Sequence, residues 1–180
     1  MKISVYDIAN KGVYNMIKRL LVLTMLLLPL MANASISEKQ MQDVKQRICI
    51  SVGKNVGKIV LEPSNEVNAY GYSLDRRIHV YQGMLDDVQS VDEFAAIYAH
   101  ELSHFIRGHL GSRSNIEPLL GEKEADELGR QIMVKAGYDP VKAAQFFKRL
   151  LENSGVSGGG THPDNDVRYE FWVTGNPYKR

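Results

Sequence analysis

The sequence predicts an α+β fold, a mostly helical domain carrying a small antiparallel sheet. Two observations carry this expectation. Apolar residues recur at three- and four-residue spacing behind helix-start signals over most of the chain from residue 36 onward. Between residues 58 and 81 the pattern changes to three short runs rich in Val, Ile and Tyr, separated by turn formers. No internal repeat interrupts the order.

The first helix is expected near Ser37. Ser37 and Gln40 make a capping box, Ile36 and Met41 the hydrophobic staple around it. Met41, Val44, Ile48 and Val52 continue at helical spacing until Gly53 and Gly57. Lys58–Leu61, Val67–Tyr72 and Arg77–Tyr81 read as strands of an antiparallel meander, with Pro63-Ser64-Asn65 and Asp75-Arg76 as turns. A second helix starts at Ser90, with Glu93 as its box partner, Phe94, Ile97, Phe105 and Leu110 as its apolar stripe and Gly111 as its stop. The third spans Pro118–Ala136 and stops at Gly137. The fourth takes Asp139 as cap and Pro140 at its first position, and runs to about Asn153. A Gly/Ser-rich stretch, Asn153–Gly160, is flexible by composition. Thr161-His162-Pro163 then leads into a last short helix ending near Val173.

The first 34 residues do not suit this domain. Lys18 and Arg19 precede an uncharged run of twelve, Leu20–Met31, and Ala32-Asn33-Ala34 follows as a small-x-small cleavage site. That is the pattern of a secretory signal peptide, too short for a bilayer that takes about 20 residues to span. The alternative is an uncleaved membrane anchor. Met16 would open a more compact signal than Met1. With the segment go Lys2, Lys11, Lys18, Arg19 and Asp7, so residues 35–180 keep 18 of the 22 basic and 20 of the 21 acidic side chains, a formal charge of −2. Neither the whole chain nor this remainder has the basic excess that nucleic acid demands. The expected location is the periplasm, with no stable membrane span after cleavage.

Cys49 is the single cysteine, which excludes an intramolecular disulfide and any multi-cysteine metal site. It reads as a small buried hydrophobe. A metal here must be held by His and carboxylate. His100-Glu101-Leu102-Ser103-His104 is such a pattern, HExxH, in the middle of the second helix. His100 and His104 lie one turn apart and can grip one Zn²⁺ from one helix face, while Glu101, offset by one residue, can reach a water on the metal. A catalytic zinc takes a third protein ligand and keeps an open position. Glu122, eighteen residues beyond His104, offers it from the third helix, and Asp126 follows one turn later on the same face, able to orient a ligating His. Glu124 reads as a solvated charge. His109 is the weaker third ligand, because Gly108 and His109 miss the HxxGxxH spacing by one place each.

HELSH at 100–104, EKEAD at 122–126, AGYDP at 136–140 and THPDNDVR at 161–168 resemble the HtpX-type zinc metallopeptidases, a family that takes in the CAAX prenyl endopeptidases and small periplasmic BepA- and LoiP-type proteases. The approach to the motif, Asn68–Tyr70, Ile78–Asp86 and Asp92–Ala96, resembles them too, so that the likeness covers about residues 60–172. It implies a zincin-like fold in which the HExxH and ExxxD helices pack around the zinc. It implies that His100, His104 and Glu122 ligate the metal, that Glu101 is the catalytic base and that Asp126 supports the site. His162 and Arg168 match the family's late His-Pro…Arg motif, placing His162 near the metal as an oxyanion partner or fourth ligand. The expected function is a zinc-dependent endopeptidase acting on polypeptides, unfolded or misassembled envelope proteins by the resemblance. The alternative is a chaperone-like periplasmic binder that uses the same cleft with little proteolysis. The chain departs from many relatives in showing no membrane-spanning helices, helical-repeat domain or lipobox cysteine.

Overall fold

A computed structural model describes residues 36–55, 57–72, 74–110, 116–154 and 162–178. The expected signal at 1–34 and the Gly/Ser-rich stretch from 155 to 160 lie outside the described residues.

Helix α1, Glu38–Val52, starts on Ser37, and both halves of the capping box are formed with Gln40. Ile36, Met41, Val44 and Ile48 are buried along one stripe, and Gly53 closes the helix in the left-handed conformation. Cys49 is buried on the same helix, its Sγ 3.7 Å from the Tyr98 hydroxyl, which donates to the Gly57 carbonyl. Strands β1 (Lys58–Glu62), β2 (Ala69–Tyr72) and β3 (Arg77–Tyr81) follow.

The sheet is not the expected meander. Its order is β1-β3-β2, with β1 and β3 parallel and β2 and β3 antiparallel. The physical reason is burial. Ile78 and Val80 of β3 are almost completely enclosed, so β3 takes the centre, whereas β2 turns only the small Ala69 and Gly71 inward, carries two half-exposed tyrosines, and goes to an edge. The chain reaches that edge by passing the end of β3, where Tyr81 N–H donates to the Asn68 carbonyl and Gly83 N–H to that of Ser64.

A short helix that the sequence did not announce, α2 (Gln82–Asp87), follows β3 directly. Helix α3, Val91–Arg107, is capped by the Ser90 side chain, which accepts from Glu93 N–H. The Glu93 carboxylate does not complete the box. It accepts from Gln89 N–H and from the two Nη atoms of Arg149, at 2.6 and 2.7 Å. Arg149 also donates to the Asp87 carbonyl, which ties the start of α3 to the end of α2. The helix stops at Gly108 rather than Gly111, leaving Leu110 outside it.

Helix α4, Pro118–Lys135, α5, Pro140–Ser154, and α6, Asn165–Thr174, complete the domain. Every residue of α3 from Glu93 to His104 is buried, which makes it the central helix. Its closest companion is α4. A Cβ at Gly129 would stand 3.0 Å from His100 N and 3.1 Å from its Cα, so only glycine lets the two backbones approach this closely at the level of His100. Trp172, Phe147, Phe94, Tyr98 and Met133 fill the interior around α3, α5 and α6. Among the described residues no helix is long and apolar enough to cross a membrane.

Candidate active site

His100 and His104 are buried and one turn apart on α3, their Nε2 atoms 3.2 Å from each other. Glu122 of α4 closes on both: its Oε2 is 3.1 Å from His100 Nε2 and its Oε1 3.4 Å from His104 Nε2. His162 reaches the same carboxylate from the segment before α6, its Nδ1 2.5 Å from Glu122 Oε2. Ligand atoms of His100, Glu122 and His162 lie within 4.8 Å of one another, close enough to hold one metal ion. Glu101 is buried beside them, its Oε1 4.0 Å from His100 Nε2 and its Oε2 accepting from Gly71 N–H of β2 at 2.8 Å.

Asp126, one turn beyond Glu122, is completely buried. Its Oδ1 lies 2.8 Å from His100 Nδ1, the contact through which a carboxylate sets an imidazole's tautomer and direction. Three further donors converge on it. Arg168 Nε and Nη2 form a fork at 2.8 and 2.6 Å, and the Tyr178 hydroxyl donates to Oδ2 at 2.5 Å. Arg168 is therefore an interior residue, stacked over the Phe147 ring at 4.3 Å. The sequence reading missed Tyr178, and no local signal marks it. Glu124 is not simply solvated: its Oε2 is 3.1 Å from His109 Nε2.

Do these residues fit a divalent cation? Glu122 Oε2 is buried and makes no hydrogen bond of acceptable geometry, although two imidazole nitrogens stand beside it. A cation among the three groups would satisfy that oxygen. The charges agree. Glu101 and Glu122 stand against His100, and Asp126 pairs with the Arg168 guanidinium, which leaves two negative charges for a divalent ion to balance when the imidazoles are neutral. The protonation energetics point the same way. Burial by itself would lower the His100 imidazole, but Asp126, Glu122 and Glu101 push it up to about 10. Burial would raise Glu122, yet the surrounding imidazoles of His100, His104 and His162 hold it well below the usual carboxylate range. Burial pushes the Glu101 carboxyl up, against the pull of the two histidines. The pocket demands positive charge, and two imidazoles with a carboxylate suit a transition-series divalent ion.

A cleft of about 330 Å³ opens beside this centre, between the end of β2 and helices α3 and α5. Met84, Ile97, Phe146, Phe147 and Leu150 line it, together with His100, Glu101 and His162 of the centre.

A histidine–carboxylate centre on two packed helices, opening into an apolar cleft, defines a metallohydrolase-like class of site. Residues 35–120, just under half of the chain, match the model of Peptidase family M48, which supports a metallopeptidase of that family. The matched span contains the sheet and the whole HExxH helix, and stops just before Glu122. No curated protein matches the chain.

Proposed function

We propose that the chain is an exported zinc endopeptidase of the HtpX type that cleaves unfolded or misassembled envelope proteins in the periplasm, after removal of a signal peptide at residues 1–34. The observation that carries the peptidase reading is the meeting of the Glu122 carboxylate with the Nε2 atoms of His100 and His104, with the Glu101 carboxylate alongside. His100, His104 and Glu122 are the ligands. Bound zinc would supply a Lewis acid that polarises the scissile carbonyl and makes a water acidic near pH 7.

The remaining work falls to the protein. Glu101 takes the proton of the attacking water and returns it to the leaving amine. Burial raises its carboxyl and so makes the carboxylate a stronger base, which favours the first half of that transfer. His162, 42% exposed at the side chain, faces the open side of the centre and donates to the oxyanion of the tetrahedral adduct. Asp126 holds His100 in one tautomer. Substrate lies extended along the outer edge of β2, which pairs with no other strand among the described residues and whose Gly71 touches Glu101, and it pairs there as an added strand. One large apolar side chain of the peptide enters the cleft lined by Ile97, Phe146 and Phe147.

The test is Glu101→Gln. The variant should retain one metal per chain while hydrolysis of a casein-type substrate falls by three orders of magnitude or more, and a chelator should silence the wild type. A pure binding protein has no use for Glu101. Wild-type turnover in the variant, or an inert metal-loaded wild type, would overturn the proposal.

A further inference from the structure

We propose that His109 and Glu124 are positioning residues for the metal centre: a second orienting chain that fixes His104 as Asp126 fixes His100. The inference rests on His104 being a ligand, as argued above. Both Nε2 atoms of the HExxH pair face Glu122, so both Nδ1 atoms face away and each meets a partner. For His100 the partner is Asp126. For His104 it is His109, whose Nδ1 lies 3.2 Å from His104 Nδ1, with the rings 5.3 Å apart and inclined at 72°.

The local fold creates this contact. Gly108 leaves α3 with φ of 73°, and both Gly108 N–H and His109 N–H donate to the His104 carbonyl. That left-handed step turns His109 back onto the last turn of the helix, where its side chain is 7% exposed. On the far side, His109 Nε2 lies 3.1 Å from Glu124 Oε2. Glu122 and Glu124 are two residues apart on α4 and so serve different faces, one toward the centre and one toward His109.

The hydrogen inventory has one solution. A neutral His104 that ligates through Nε2 carries its hydrogen on Nδ1 and donates to His109 Nδ1. His109 is then protonated on Nε2 and donates to the Glu124 carboxylate. Neither residue touches the metal, yet together they choose the tautomer of a ligand.

The experiment measures metal affinity, by Zn²⁺ competition against a chelator of known affinity, and the visible absorption of the Co²⁺-loaded protein. His109→Phe should weaken the metal about 10- to 100-fold and shift the Co²⁺ bands, with urea stability in excess chelator unchanged. Glu124→Gln should weaken it several-fold. The double variant should be no worse than His109→Phe, because Glu124 acts only through His109. His109→Asn, which restores a side-chain acceptor, should recover part of the affinity. His104→Ala separates this inference from the one beneath it. If His104→Ala loses the metal while His109→Phe and Glu124→Gln both bind like wild type, the orienting chain is wrong and the ligand assignment stands. If His104→Ala keeps the metal, the ligand assignment fails. If His109→Phe loses metal as completely as His104→Ala, His109 is itself a ligand and the chain is overturned. Should His109→Phe not fold, the half-exposed Glu124→Gln decides on its own by the same competition.

Discussion

Replacing Arg168 by Met separates two meanings of one residue. As an exposed partner in a surface ion pair, Arg168 would be worth about 0–1 kcal/mol. Here its guanidinium forks onto a carboxylate with no exposure at all, at 2.8 and 2.6 Å, and its planar face stacks on Phe147. Met keeps the apolar stem on that ring and removes only the charge and its donors. Asp126 is left with His100 and Tyr178, a buried anion without its cation. Breaking such a pair from one side costs about 3–5 kcal/mol, because the remaining charge stays desolvated. At a urea m-value of roughly 2.5 kcal/mol/M, a loss of about 3 kcal/mol moves the midpoint down by about 1.2 M. The measurement is equilibrium urea unfolding in excess chelator, so that bound metal does not mask the change. Arg168→Lys should fall between the two, since an ammonium restores charge without the fork. A shift worth less than about 1 kcal/mol for Arg168→Met would refute the reasoning and return Arg168 to a surface role.

Three further outcomes are expected. Glu122→Ala should drop metal content far below one per chain by elemental analysis; unchanged stoichiometry would mean that another residue is the third ligand. His162→Ala should lower turnover about 100- to 1,000-fold while metal content stays at one per chain, and wild-type kinetics would remove His162 from the mechanism. Gly129→Ala gains about 1 kcal/mol of helix propensity, but its Cβ presses on the His100 backbone and overpacking costs about 1–3 kcal/mol, so net stability should change little or fall. Glu122 and Asp126 ride on the same helix, so the more telling readout is metal affinity, which should weaken; affinity equal to wild type would show that α4 need not pack so closely.

The features legible in the sequence are those whose causes lie within a few residues. A helix cap is one residue and its first turn, which is why Ser37 and Ser90 locate the starts of α1 and α3. Residues four apart share a helix face, so His100 with His104, and Glu122 with Asp126, could be paired before any fold was known. The packing of the central helix could not be read so directly. Glu93 looked like half of a capping box, yet Arg149, fifty-six residues away, claims its carboxylate. Strand order failed for the same reason. The runs of Val, Ile and Tyr mark strands correctly, but which one occupies the centre depends on what α3 covers, and β3 carries the residues that α3 and the core enclose.

The sequence was enough to name the helix that carries the two histidines, the carboxylate on the next long helix and the limitation to His and carboxylate donors, because periodicity and composition are local properties. Only the tertiary structure decided how those groups are held. Arg168 and Tyr178 reach Asp126 across 42 and 52 residues of chain, and Glu124 meets His109 across 15. Nothing in the spacing of such residues constrains their distance in space. They meet because α3, α4 and α6 pack around one buried negative pocket, in which every unpartnered charge or donor would be costly, so the interior collects the arginine, tyrosine and histidine that complete it.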